Sequence, residues 1–490
     1  MRSWPLAHAS EALTPRDDVV AERDLGDGRF VQESGPFVEY ERTVHTEGNQ
    51  VVDVTKYRLD IPWFGWLFQR AIRSRLQRHQ VTTGPQPAWA PPDRLTAYVV
   101  RSLGLLAAAS LTAAFVNTLF TQTVNFAATD FGISEQGQAI AGVIVRCGII
   151  LALPFTILAD RLGRRRMIVL LAWLAPLLAA TGALAPNFWV LTATQAIARP
   201  LGIALDLLIG IAIAEQMPRN SRAYAVSVLA MASGLGAGVA VGSLPLADVG
   251  PNGWRFVYAL ALIWLVVAVD VSRRLTETPR FEHLVEVHHV GKAHINRRRF
   301  AIISSVAFFG NLFIAPASYF QNRYLDDVRG FSGATIATFT LVTATPASIG
   351  FVIGGKLADL RGRRLILATM VPSATSALVV SFWVSGWPMW VAAFIGGLFA
   401  GVAYPAFAVY RSELFPTGRR GRAGGFIVTL GLAGGSIGIL TAGQLLDRGW
   451  SYGTTMSLLA LAQVVTATVV FTTYPETAHR TLEELNPEDA

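Results

Sequence analysis

The sequence predicts an all-α integral membrane protein of twelve transmembrane helices, arranged as two pseudo-symmetric six-helix bundles behind a small polar N-terminal extension. Three observations predict it: long apolar runs, basic residues confined to alternate loops, and an internal repeat. Of the 490 residues, 52% are hydrophobic and 15% charged, and mean hydropathy is +0.42. A soluble chain carries about 25% charged residues. From about Thr96 the apolar residues gather into runs of roughly 20, the length that crosses a ~30 Å hydrocarbon core at 1.5 Å per residue. The runs predict helices over 97–122, 134–158, 166–184, 188–213, 223–246, 254–272, 300–320, 333–356, 365–384, 388–410, 424–446 and 453–473.

Orientation follows from Lys and Arg. Arg161, Arg164, Arg165 and Arg166 follow helix 2, and Arg273, Arg274, Arg280, Lys292, Arg297, Arg298 and Arg299 follow helix 6. Arg361, Arg363 and Arg364 follow helix 8, and Arg419, Arg420 and Arg422 follow helix 10, whereas the opposite loops hold little beyond Arg323, Arg329 and Arg448. The positive-inside rule places both termini and the central loop in the cytosol, in a cell membrane. The same distribution accounts for the net charge of +8 without nucleic acid, since no recognition module accompanies it. Cys147 is the single cysteine, which excludes an intrachain disulfide or a Cys-based metal site. His283, His288, His289 and His294 lack metal-ligand spacing and read as a solvated loop. The first 95 residues have no apolar h-region, so helix 1 is expected to direct insertion itself.

Five segments follow: a cytosolic extension 1–96, a bundle 97–273, a central loop 274–299, a second bundle 300–474 and a cytosolic tail 475–490. In the extension, Val38 to Val44 and Val51 to Leu59 alternate around Glu47-Gly48-Asn49, predicting a β-hairpin. Pro62 to Gln77 predicts a helix with Phe64, Phe68, Ile72 and Leu76 on one side and Arg70, Arg73, Arg75 and Arg78 beside them. That stripe suits either an anionic membrane surface or the core of a small domain. Pro85 to Pro92 reads as a linker.

The two bundles repeat each other. Leu158-Ala159-Asp160 with Gly163-Arg164-Arg165 recurs as Leu357-Ala358-Asp359 with Gly362-Arg363-Arg364, 199 positions on. Glu215 and Pro218 recur as Glu413 and Pro416 (198 on), and Glu277 as Glu476 (199 on). Gly234 and Gly238 of helix 5 match Gly434 and Gly438 of helix 11 (200 on), and at both places small residues are expected to let backbones approach. One offset shared by unrelated features means a duplicated six-helix unit.

These residues carry a family resemblance. Asp160-Arg161-Leu162-Gly163-Arg164-Arg165, its second-half copy, and Glu413-Leu414-Phe415-Pro416 with Arg420-Gly421 resemble the major facilitator superfamily. Glu277-Thr278-Pro279-Arg280 and Pro475-Glu476-Thr477 with Arg480 resemble its sugar-porter and metabolite–proton symporter branches. The resemblance covers about residues 97–485. It implies a secondary transporter, not an enzyme, working by alternating access as a monomer in the bilayer on a small polar or organic-acid substrate. It also implies proton symport, with a coupling proton and no cofactor. A drug or metabolite exporter is the alternative, and a non-transporting sensor a distant third. It further implies a gate at the cytosolic face: Asp160, Arg164 and Glu215 in one cluster, Asp359, Arg363 and Glu413 in the other, with Arg161, Gly163, Arg222, Gly362 and Arg420 beside them.

A charge in mid-membrane costs on the order of 3 kcal/mol on insertion scales and marks either function or a paired partner. Arg146 of helix 2 and Arg199 and Asp206 of helix 4 are the three candidates. Arg199 and Asp206 lie seven residues apart on one face, so they read either as a structural ion pair or as separate substrate and proton groups. Because helices 1, 4, 7 and 10 line the cavity in relatives, Asn117, Gln122, Asn125, Asn311, Tyr319, Gln321 and Tyr404 join them as candidates. Paired glutamines on helix 7 and a glutamine on helix 5, which sugar porters use for hexose hydroxyls, are missing here. So is the helix 1 Asp of aromatic-acid symporters, and Gly242-Ser243-Leu244-Pro245 is a loose form of the drug-antiporter kink.

Overall fold

The computed structural model describes residues 2–5, 12–77, 89–133, 135–243, 246, 252–281, 295–331, 333–416 and 419–486. The four loop histidines, Lys292, Arg78, Leu244-Pro245, the linker before Trp89, and the side chains of Asn125 and Arg323 lie outside the described residues. The chain divides into two units, Met1–Ala108 and Ala109–Ala490.

The first unit is built on a five-stranded antiparallel sheet in the order β1-β5-β4-β3-β2. The strands are β1 (Arg2–Pro5), β2 (Ala21–Asp24), β3 (Arg29–Ser34), β4 (Phe37–Glu47) and β5 (Gln50–Leu59). β4 and β5 form a hairpin with Glu47 opposite Gln50, closed by Gly48 at φ 60°, the positive-φ site that a two-residue turn requires. Tyr40, Arg42 and Val44 alternate into the core. A buried arginine needs an acid, and Arg42 has one: its guanidinium donates to Glu22 at 2.7 Å and to the Ala12 and Thr14 carbonyls. Tyr40 donates to the same Glu22, and burial, together with that acid, pushes the phenol above its ordinary range. The sheet therefore extends beyond the hairpin. Its outer strands escaped notice because β1 and β2 have four residues each and no apolar alternation. Helix α1 (Gly65–Leu76) turns the Phe68, Ile72 and Leu76 stripe onto Val20, Phe37 and Tyr40. The apolar stripe faces the sheet, and so not lipid.

Twelve helices among the described residues are long and apolar enough to cross a membrane, numbered here as spans 1 to 12. They are Ala97–Val124, Ile140–Leu162, Arg164–Leu184, Phe188–Gln216, Arg222–Gly242, Gly253–Arg274, Arg297–Gln321, Thr338–Arg361, Arg363–Ser381, Trp387–Tyr410, Arg420–Leu446 and Tyr452–Thr473. Spans 3 and 9 start directly after Gly163 and Gly362. Span 2 tightens to a 3-10 turn at Gly148–Leu151, where Gly148 lies so close to span 4 that a Cβ would sit 2.3 Å from the Ala196 carbonyl oxygen.

In the second half, span 7 packs on spans 11 and 12, and span 10 on spans 8 and 9. Span 8 also meets span 5, and span 11 meets span 2, joining the halves. Gly434 and Gly438 press on the Phe308 and Leu312 carbonyls of span 7. Their first-half counterpart differs from the expected pair: Gly234 and Gly238 face open space, and Gly236 meets the Leu111 carbonyl of span 1. Two residues turn a helix by about 200°, so an offset read as 200 put the glycines on the wrong face, and the contact repeats at 198.

Candidate functional site

Each half ends its second helix on the same turn. Gly163 and Gly362 adopt φ of 102° and 103°, a conformation that L side chains rarely take. Beside them Glu277 accepts the Arg164 and Arg165 N–H groups at 3.0 and 3.1 Å, and Glu476 accepts those of Arg363 and Arg364 at 3.0 and 3.1 Å. A Cβ on Gly163 or Gly362 would lie 2.3 or 2.7 Å from these carboxylates, so the glycine and the glutamate require each other. Burial raises the Glu277 carboxyl above its usual range against the pull of the surrounding N–H groups and Arg164.

The aspartates at these turns sit where a helix dipole disfavours them, in the last turn of spans 2 and 8. The opposite half supplies the compensation. Asp160 accepts the Gly421 and Arg422 N–H groups at 3.0 and 2.9 Å, at the start of the helix Arg420–Asp447. Asp359 accepts the Tyr224 N–H at 3.1 Å, at the start of Arg222–Gly242. Each aspartate thus caps a helix N-terminus across the pseudo-twofold, where an anion is favoured.

Two buried four-residue networks complete the contact. In the first, Arg164 pairs with Asp160 and Glu215, each at 3.3 Å, and Arg420 reaches Glu215 from the other half at 2.7 Å. In the second, Arg363 pairs with Asp359 at 2.8 Å and with Glu413, and Arg222 reaches Glu413 from the other half at 2.9 Å. Each network holds two acids and two arginines and is neutral, and all eight side chains are buried. Thr278 donates to Glu215 at 2.6 Å, and Arg363 donates to the Thr477 hydroxyl at 3.0 Å. Arg161 is exposed and stands outside both networks among the described contacts. The residues sequence reasoning passed over are the backbone amides of Gly421, Arg422 and Tyr224 and the hydroxyls of Thr278 and Thr477. The Thr-Glu-Thr and Pro-Glu-Thr repeats were a signal for the hydroxyls.

The tail also takes part. Asn486 donates to the Glu413 carbonyl at 2.7 Å, and Arg299 donates to that of Leu485 at 2.8 Å. The last described residues are therefore folded onto this face.

Toward mid-membrane the polar candidates separate into two groups. Arg146 lies over the Tyr319 ring of span 7 at 5.7 Å, joining span 2 to the second half. Arg146 acts electrostatically on Arg199, and the Arg199 Nε is buried without a hydrogen-bond partner. Asn117 has a buried, unpartnered Oδ1 and packs over Gly202, one turn beyond Arg199. Seven residues along span 4, about 10 Å on, Asp206 lines a cavity of ≈ 60 Å³ with Ser233 of span 5, Tyr404 of span 10 and Gly424 of span 11. Asp206 and Tyr404 are repeat mates, 198 positions apart, brought to one cavity by the pseudo-twofold. Asp206 thus lines this cavity, two turns beyond Arg199 on the same helix. Asn311 donates to the Ala307 carbonyl at 2.9 Å and packs beside Gly431. Gln122 and Gln321 are half-buried.

Comparison with known proteins follows the same architecture. A profile described as Major Facilitator Superfamily matches residues 105–438 and 300–488. The chain belongs to the major facilitator superfamily. A curated relative, the cis,cis-muconate transport protein of Acinetobacter baylyi, is 24% identical over 351 residues, 68% of this chain and 84% of that protein. D-xylose-proton symporter-like 2 of Arabidopsis thaliana is 29% identical over 246 residues, 48% of this chain and 45% of that one. Among solved structures, the proton:xylose symporter XylE bound to 6-bromo-6-deoxy-D-glucose superposes with a TM-score of 0.68 at 17% identity. That match covers 80% of this chain and 99% of XylE. The superfamily's members are transporters rather than enzymes, and this chain is a multi-pass membrane member of it.

Proposed function

We propose that this superfamily member is a proton-coupled symporter of a small organic anion, working as a monomer by alternating access in the plasma membrane with its ion-pair face and both termini cytosolic. The observation that carries the substrate class is the pair Arg146 and Arg199: cations on the packed spans 2 and 4, the first acting electrostatically on the second, with the Arg199 Nε buried and without a hydrogen-bond partner. Like charges repel more strongly in a low dielectric than in water, and an entering carboxylate relieves that repulsion. The relative named for muconate, a dicarboxylate, agrees with this chemistry. Asp206, opposite Tyr404 in the neighbouring cavity, is the group assigned to the coupling proton. The two networks hold the cytosolic ends together while the site faces outward, and they separate when it faces inward.

Purified protein in liposomes, an imposed pH gradient and labelled dicarboxylates, monocarboxylates and xylose form the test. Carboxylate accumulation that follows the gradient is expected, with Arg199→Gln and Arg146→Gln weakening anion uptake and Asp206→Asn leaving exchange but not gradient-driven accumulation. Uptake of xylose with no carboxylate flux overturns the substrate class. Accumulation that survives collapse of the gradient overturns the coupling.

A further inference from the structure

We infer that α1 is a membrane-surface anchor: its outer face, Trp66, Leu67, Arg70 and Arg73 with Trp63 at its root, sits on the anionic headgroups of the leaflet that span 1 enters. The face is distinct from the stripe that packs on the sheet. At about 100° per residue, Trp66, Leu67, Arg70 and Arg73 gather on the side of α1 opposite Phe68, Ile72 and Leu76. Trp66 is 71% exposed, Leu67 50% and Trp63 42%, and Arg70 and Arg73 are exposed beside them. No acidic residue occurs anywhere in α1.

The position of this face comes from contacts within the first unit. Asp60 accepts from Arg101, on the second turn of span 1, at 2.7 Å. Pro62 packs so closely on Gly104 that a Cβ there would lie 2.8 Å from its Cδ. Gly104 is seven residues into the helix, about 10 Å along its axis, and Arg101 just before it is the last charged residue ahead of the uncharged run Ser102 to Thr129. The chain thus enters α1 at the level where span 1 passes from the headgroup layer into hydrocarbon. Trp63 and Trp66 follow within one turn, and indole rings collect at that level because one edge is apolar and the other donates a hydrogen bond. Arginines beside them match the phosphate and carboxylate groups of anionic lipid. An aqueous protein partner explains the exposed indoles but not their attachment beside the membrane entry.

The test uses the full chain with Cys147→Ser, a single environment-sensitive thiol probe, and vesicles of phosphatidylcholine with or without phosphatidylglycerol. Probes are placed at Trp66→Cys, at Leu67→Cys and, as an aqueous reference, at Glu47→Cys on the exposed hairpin tip. A shallow lipid-borne quencher is expected to quench positions 66 and 67 about twofold or more beyond position 47. That difference is expected to grow with phosphatidylglycerol and to lose its lipid dependence in Arg70→Glu/Arg73→Glu. Equal quenching of all three positions by a water-soluble quencher overturns the anchor. So does shielding from both quenchers, which means that protein covers the face. Two reporter positions guard against a local disturbance at either one, and unchanged thermal unfolding of each variant shows that the sheet is intact.

Discussion

Replacing Arg420 with Gln isolates one crossing strut of the closed face. Arg420 belongs to the second half, yet its acid, Glu215, belongs to the first, at 2.7 Å with both side chains fully buried. Removing one member of a buried ion pair costs about 3–5 kcal/mol. Here Glu215 keeps Arg164 at 3.3 Å and the Thr278 hydroxyl at 2.6 Å, so the loss falls below that range, to about 2–3 kcal/mol. The Arg164 and Thr278 contacts lie within the first half and persist when the halves part, whereas the Arg420 contact does not. The loss therefore bears on the closed face rather than on either bundle, and it shifts the closed-to-open ratio by about 30- to 160-fold. Spin labels at Arg161→Cys and Arg361→Cys, both exposed positions on opposite halves, in a Cys147→Ser background read that separation by electron–electron resonance. A new long-distance population in Arg420→Gln, matched by Arg222→Gln in the other network, is the expected result. An unchanged distance distribution together with a lower melting temperature would refute the reasoning, because the pairs would then be holding the fold and not a state.

Four further outcomes follow from the geometry. Gly236→Ala brings a Cβ to 2.2 Å from the Leu111 carbonyl oxygen and should lower thermal stability by about 1–3 kcal/mol, the usual overpacking cost. Gly234→Ala, facing open space, should be neutral or gain about 0.5–1 kcal/mol of helix propensity. Gly163→Ala combines φ 102° with a 2.3 Å approach to Glu277 and should cost about 1–3 kcal/mol of strain, seen in thermal unfolding and partly relieved by Glu277→Ala. Glu22→Gln removes the nearer of Arg42's two acids, leaving Asp53 at 3.7 Å, and replaces Tyr40's charged acceptor with a neutral amide oxygen. It should destabilise the N-terminal sheet by about 3 kcal/mol. Limited proteolysis should then cut before residue 96 while leaving the spans intact.

The membrane architecture was legible because hydrocarbon admits few solutions. Twenty apolar residues between arginine clusters have little choice but to span, and the twelve helices lie where the runs lie. The repeat was legible because the duplicated turns retain Asp, Gly and Arg at fixed spacing. Their partners were not. Arg222 and Arg420 occur in the repeat as equivalent residues, but nothing in a linear string says that each reaches an acid of the other half. Backbone amides such as that of Tyr224 leave no trace in residue identity. The glycine register failed for a related reason: several small residues crowd spans 5 and 11, and only the contact decides between an offset of 198 and one of 200. In the extension, nothing in the sequence marks Arg42 as buried, because its acid, Glu22, is twenty positions away on another strand.

Asp160 and Asp359 grip peptide groups, not side chains, on the far half. A carboxylate bound to main-chain N–H groups is indifferent to what those residues carry, so Arg422 and Tyr224 can drift during descent without loosening the joint, while the two aspartates cannot. Within one duplicated molecule, constraint is therefore unequal across a single interface. The acid on one helix end is fixed, and the helix start it meets need only keep its backbone path. An inhibitor aimed at this joint would do best to imitate a helix N-terminus, a ligand whose target cannot change without opening the protein itself.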